Sequence, residues 1–380
     1  MHWIKIFTIF IFTSALVNAQ DATSLYNEGI KLKEVGKSSA AIDKFKKAVQ
    51  LKPGFTEALY GIGWCQNDLK DYSGAIETLR KVRVEWSNIP KLFFELGYAF
   101  EKTGLSDSAI HAYNKVIKLK PDYGLAYKQL GYIAYDKMEK ENALMYFVKY
   151  EAAEESKGKF IENYLYWYRK GYCHNGLNQY EYAKNSLFKS LEYKQDYLNT
   201  YLEIGFACSK LKQNDDAITY FKKAIEVAPK SHIAYNGIGE VYRDNKKDMK
   251  ESMVWHNKAL EINPDERKAN YGVGYCLNSL AKYNEAIPYL KKAIQVDLNY
   301  VAAFVELGYS YYKIEEDQLA EASFKKAIDL NNKNENSRYY LGLLFIRQNN
   351  KIKAQQMVNE LKVLNSKNAV SLQEKIDQMN

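Results

Sequence analysis

Apolar residues recur along this chain at helical spacing, in paired stripes divided by short polar turns. Tyr127, Leu130 and Ala134 step three and four residues apart, the charged turn 136–141 follows, and Ala143, Phe147 and Tyr150 repeat the spacing. Such stepping predicts two amphipathic helices joined by a tight turn. The unit then repeats. Gly29, Gly63, Gly97, Gly131, Gly171, Gly205, Gly239, Gly274, Gly308 and Gly342 stand 34 residues apart, except for one interval of 40 and one of 35. Ala follows twelve residues after nine of them (Ala41 to Ala354), and the seventh unit has one inserted residue and Ser252 in that place. Gly inside a helix costs roughly 1 kcal/mol against Ala. Its recurrence therefore predicts a helix pair that approaches too closely for a side chain. One hairpin cannot bury both stripes, so successive hairpins must stack.

The register divides residues 20–368 into ten units near 22–55, 56–89, 90–123, 124–163, 164–197, 198–231, 232–266, 267–300, 301–334 and 335–368. A last stripe, Ala369, Leu372, Ile376 and Met379, predicts a capping helix over 369–380. Six extra residues near Gly158 to Asn163 and the insertion in the seventh unit mark two irregular junctions, each read as a kink, a functional loop or a longer turn. Within the units, Phe304, Leu307, Gly308, Tyr311, Ala320 and Phe324 of the ninth, and Tyr201, Ile204, Gly205, Ala217, Phe221, Ala224 and Pro229 of the sixth, carry a bulky–Leu–Gly–aromatic–Ala–bulky–Pro order. This resembles the tetratricopeptide repeat. The resemblance implies an all-α fold, an α-solenoid that winds as a right-handed superhelix, and it covers nearly the whole chain.

The N-terminus reads differently. Residues 1–19 place Lys5 ahead of a mostly apolar run, with Val17 and Ala19 at signal-peptidase spacing. The run is short for a membrane span, so a cleaved signal peptide is expected, with export to the periplasm or medium and no integral span in the mature chain. Usage rich in Lys, Asn, Tyr and Ile, with no Asn-x-Ser/Thr sequon, resembles an exported Bacteroidetes-like protein.

Candidate chemistry is sparse. His111, His174, His232 and His256 fall at different register positions and share no metal-ligand spacing with another His or Cys. No phosphate loop, nucleophile elbow or His-Glu-x-x-His run is present. An enzyme is not expected, nor is any cofactor or metal. Cys65, Cys173 and Cys276 lie two residues after their Gly, in units two, five and eight, and Cys208 lies three after its own. These are packing positions, and only Cys173 with Cys208 stands in adjacent units, so buried thiols are expected.

The functional signal is aromatic. The chain has 33 Tyr, and 14% of it is aromatic. In the family the first helices line the concave groove, at positions one after and three before the repeat Gly. The first position holds Trp64, Tyr98, Tyr132, Tyr172, Phe206, Tyr275 and Tyr309; the second holds Tyr26, Tyr60, Phe94, Tyr168 and Tyr271. Tyr offers a large rigid contact with a hydroxyl handle. These twelve are the candidate partner-binding residues, with sideways packing between units as the competing reading. The Lys and Asn set of a carboxylate clamp is missing.

A second stripe, Lys47, Lys81, Lys115, Lys149, Lys189, Lys223, Lys258, Lys292 and Lys326, marks the second helices, on the convex side in the family. The net charge of +8 is spread along the chain, so nucleic acid is not an expected partner. The expected function is an exported scaffold or adaptor that binds a protein or peptide and assembles an envelope or secretion complex. The alternative is an envelope or cell-wall polysaccharide binder using the same rings and the basic face.

Overall fold

The computed structural model describes residues 20–379. The expected signal peptide, 1–19, lies outside the described residues. Among the described residues there is no strand, and no helix is long and apolar enough to cross a membrane. The chain divides into two compact units, one ending at Glu162 and one beginning at Asn163.

The first unit contains four hairpins. Residues 20–34 pair with Ser38–Leu51, Thr56–Asp68 with Tyr72–Val82, Pro90–Lys102 with Ser106–Leu119, and Gly124–Asp136 with Lys140–Glu155. The second unit contains six. Tyr164–Gly176 pairs with Tyr180–Tyr193, Leu198–Lys210 with Asn214–Val227, and His232–Glu240, continued by Val241–Lys246, with Met249–Ile262. Arg267–Ser279 then pairs with Tyr283–Val296, Val301–Lys313 with Asp317–Leu330, and Glu335–Arg347 with Lys351–Val363, before a closing helix Asn368–Asp377.

The repeat Gly is required by packing. A Cβ on Gly63 would sit 2.5 Å from Leu79, and one on Gly131 2.5 Å from Phe147. The obstacle is the bulky side chain sixteen positions later, which lies flat against the first helix. At Gly342 the obstacle is Leu372 of the closing helix, which supplies the apolar partner that a further repeat would otherwise bring. The Ala twelve residues after each Gly is fully buried wherever it occurs, and so is Ser252.

The turn inside each hairpin is a left-handed C-terminal cap that the sequence conceals. Lys70, Met138, Asn178, Lys212, Ala281, Glu315 and Asn349, seven residues after their Gly, have φ between 54° and 65°. Gly fills this position only at Gly36 and Gly104. The next residue's N–H donates back to the carbonyl of the third residue after the Gly, as Asp71 does to Gln66 at 2.8 Å and Leu105 to Phe100 at 2.8 Å. This bond satisfies the last helical carbonyls and offsets the left-handed strain.

The two irregular junctions resolve differently. The insertion in the seventh unit is absorbed as a π-helical turn, Val241–Lys246, inside the first helix. The six extra residues extend the second helix to Glu155, followed by a turn at Gly158 with φ 66° and an irregular segment to Asn163, where the two compact units divide.

Candidate functional site

One constellation of side chains occurs three times, once in the first unit and twice in the second. Each copy spans two neighbouring hairpins: 2 and 3, 5 and 6, 8 and 9. Its anchor is an Asn four residues after the Gly of the leading hairpin. Asn67 Nδ2 donates to the Glu95 backbone oxygen at 3.1 Å and to its Oε2 at 2.8 Å. Asn175 makes the same pair with Glu203 at 3.0 and 2.7 Å, and Asn278 with Glu306 at 3.0 and 2.9 Å. The fork ties each Glu, two residues before the next Gly, to the preceding hairpin.

Rings surround this fork in a fixed pattern. Tyr60, Tyr168 and Tyr271 lie beside Trp64, Tyr172 and Tyr275 one helical turn on, with centroids 6.2, 6.3 and 6.1 Å apart. They also meet Trp86, Tyr197 and Tyr300 at 5.2, 5.1 and 5.3 Å. From the hairpin turns Tyr72, Tyr180 and Tyr283 meet Tyr98, Phe206 and Tyr309 edge-on at 6.0, 6.1 and 5.9 Å. A Lys five residues after the trailing Gly closes the set: Lys102, Lys210 and Lys313 lie 5.2, 5.3 and 5.8 Å from the Tyr98, Phe206 and Tyr309 ring centres. Each station thus offers aromatic faces, a carboxyl group and a cation within one patch.

Burial tunes the carboxyl. Desolvation pushes Glu95 up to about 7 against the pull of its Asn67 hydrogen bond, and it raises Glu203 and Glu306 as well. A group poised this way accepts hydrogen bonds when ionised and can donate one when protonated. At the first station Trp64, Asn67, Tyr72, Phe94, Glu95 and Tyr98 line a pocket of about 520 Å³.

The expected groove residues separate into two sets. Trp64 with Tyr98, Tyr172 with Phe206, and Tyr275 with Tyr309 flank the three carboxyl groups and stay part-exposed, Phe206 most at 37%. Tyr60, Tyr168 and Tyr271 mostly pack sideways, and Tyr60 and Tyr168 are buried. Tyr26 rests on Phe45 and Phe55, Phe94 on Tyr113 and Tyr123, and Tyr132 edge-on against Phe147. For these six the dominant contact is between or within hairpins.

Cations from the preceding hairpin also reach two stations. Lys33 lies 3.9 Å from the Trp64 ring centre and pairs with Asp68 at 2.5 Å. Arg243, from the π turn, bonds Asp244 with two nitrogens at 2.7 and 2.8 Å and lies over Tyr271 and Tyr275.

All four cysteines are buried, and burial pushes the Cys65 and Cys208 thiols up to about 11. Cys208 is a free thiol, so no bridge joins it to Cys173. His174 stacks on Tyr182 and its Nδ1 lies 2.7 Å from Gln179 Oε1. His256 was not singled out from sequence. It occupies the fully buried bulky position of the seventh unit, with Nδ1 2.9 Å from Asn236 Oδ1, and burial pushes it down to about 3. Its register, where other units carry Phe, Tyr, Leu or Val, was the available signal.

Family models described as tetratricopeptide repeat match residues 26–88, 90–123, 198–231, 232–266, 268–300 and 301–334, well over half of the chain. The TPR repeat-containing protein MJ1428 of Methanocaldococcus jannaschii is 24% identical over 249 residues, which is 56% of this chain and 44% of that protein. The protein O-mannosyl-transferase TMTC3 of Homo sapiens is 21% identical over 387 residues, 94% of this chain and 40% of that one. The chain therefore spans less than half the length of these relatives. Among solved structures, the anaphase-promoting complex hetero-tetramer Cut9–Hcn1 aligns with TM-score 0.52 at 12% identity, over 95% of this chain and 92% of that one. The type IV pilus biogenesis factor PilW aligns with TM-score 0.51 at 20% identity, over 55% and 98%. These structural likenesses show the fold.

Proposed function

Since the chain belongs to the tetratricopeptide repeat family, we propose that it is an exported scaffold whose first-helix face binds a protein or peptide partner, assembling an envelope or secretion complex. The observation that carries this reading is the threefold recurrence of one station. Packing alone needs an apolar side chain at these positions. It does not require a desolvated carboxyl group, an Asn fork and a Lys-capped ring at the same register in three separate hairpin pairs. A part-exposed ring beside a hydrogen-bonding carboxyl is suited to gripping an extended backbone and one side chain.

The test compares the full chain with a Trp64→Ala/Tyr98→Ala variant in affinity capture from native envelopes, quantified by mass spectrometry. The expected result is loss of a partner at least roughly tenfold, equivalent to about 1.4 kcal/mol, while helical circular dichroism stays native. Equal capture by the two proteins contradicts the assignment. Retention of purified chain on envelope polysaccharide, lost in the same variant, would transfer these rings to the glycan alternative.

A further inference from the structure

A second recessed surface lies in the first unit, away from the stations. Its walls are the second helices of hairpins 2 and 3, Tyr72–Val82 and Ser106–Leu119, and its floor is Phe93, Leu96 and Phe100 of Pro90–Lys102. The space is about 860 Å³. It exists because one wall is short. Tyr72–Val82 has 11 residues, whereas Ser38–Leu51 and Ser106–Leu119 have 14 each. After Val82 the chain leaves the helix, and Trp86 tucks against Tyr60 at 5.2 Å, with Lys91 over both rings. At the floor Phe93 is half-buried, while Leu96 and Phe100 are buried.

The rim is cationic. Arg80, Arg83, Lys115 and Lys118 stand around the floor with His111. Among the described residues none of these four cations has a carboxylate within ion-pair distance. The one acid in the lining, Asp107, is held by Lys137 at 3.1 Å. Arg80 lies 5.6 Å from the Phe100 ring centre and Lys115 5.7 Å from that of Phe93, so the charges sit directly over the apolar strip.

We propose that this groove is a second docking site, for an acidic segment of a partner protein that sets one or two bulky apolar side chains between carboxylates. Charge complementarity selects the acid, and the half-buried Phe93 ring at the floor selects the apolar anchor. Length selects a peptide over a membrane lipid. Phe93 to Phe100 spans about 10 Å at the helical rise of about 1.5 Å per residue. A lipid chain, half of a hydrocarbon core about 30 Å thick, would overrun it, whereas side chains one helical turn apart fit. The site is independent of the ring stations, so either assignment can fail alone.

The experiment uses the full chain and a fluorescein-labelled peptide, Glu-Asp-Phe-Glu-Asp-Leu-Glu, read by anisotropy at low salt. A peptide with every acid replaced by Lys, and vesicles of anionic phospholipid, serve as comparators. Saturable binding is expected for the acidic peptide only. Arg80→Glu/Arg83→Glu and, separately, Lys115→Glu/Lys118→Glu should each weaken it roughly tenfold or more, since several screened charge contacts add. Trp64→Ala should leave it unchanged. These charged positions lie on the rim, and circular dichroism checks that both reversal variants fold. No saturable binding, equal binding of the basic peptide, survival of affinity in both variants, or association with vesicles without peptide binding each overturns the proposal.

Discussion

The first and third stations are built on the same register yet differ at one buried position. Two residues after the trailing Gly the first has Ala99 and the third has Ser310. Ser310 Oγ donates to Asn278 Oδ1 at 2.7 Å, so the third Asn is satisfied at both ends. In the first station Asn67 Oδ1 is buried with no partner, and so is Asn175 Oδ1 in the second, where Ala207 takes the same place. The comparison shows that the conserved geometry is the donor half of the fork. The acceptor half is optional, and leaving it open costs stability the scaffold tolerates.

Removing the fork should give the largest effect. Asn278→Ala leaves Glu306 without its side-chain donor and Ser310 with only the Glu306 carbonyl as acceptor, and is expected to cost about 2–3 kcal/mol in urea unfolding. Asn67→Ala should cost about 1 kcal/mol less than that, because its acceptor already lacks a partner. Equal losses would show that Ser310 contributes nothing.

Next comes the carboxyl itself. Folding raises Glu95 from the ordinary 4.5 to about 7, so between these values the folded chain holds a proton that the unfolded chain has released. Its contribution is therefore fully present below 4.5 and is lost as pH rises through 7. Glu95→Gln should raise the melting temperature at pH 8 and leave it nearly unchanged at pH 4. His256 gives the opposite sign. Its folded value of about 3 lies below the ordinary 6.5, so the unfolded chain binds the proton first and stability is lost as pH falls from 6.5 towards 3. His256→Phe should flatten that acid limb, whereas an unchanged limb would remove His256 as its cause.

The smallest effects exchange the distinguishing residue. Ser310→Ala should cost about 1 kcal/mol, and Ala99→Ser should recover part of that in the first station. A loss on Ala99→Ser, relative to wild type, would mean that Asn67 Oδ1 is not reachable from that position.

How much of this was legible in the sequence follows from what each feature depends on. Helices and their pairing were legible because the Gly and Ala positions sit at fixed intervals and packing against Leu79 or Phe147 leaves no freedom there. The turn conformation was not, since Lys70, Met138 and Glu315 are poor left-handed residues and only the capping hydrogen bond explains them. The rings at Trp64 and Tyr98, which line the first station's pocket, were expected in the groove from register alone. That register could not separate them from Tyr132, which folds against Phe147. The stations had a visible trace: Cys65, Cys173 and Cys276 mark every third unit, with an Asn two residues further on. The trace became chemistry only when the Asn was seen to reach Glu95 across 28 residues. The cationic groove was invisible because it depends on a helix that stops a turn early.

The central claim is that the three stations are equivalent recognition elements. The most direct measurement removes their ring pairs one at a time, as Trp64→Ala/Tyr98→Ala, Tyr172→Ala/Phe206→Ala and Tyr275→Ala/Tyr309→Ala, and follows affinity for the captured partner by calorimetry. Each pair should lower affinity by a comparable factor, with all three together abolishing binding. Full affinity after loss of all three pairs, with native circular dichroism, would contradict the account.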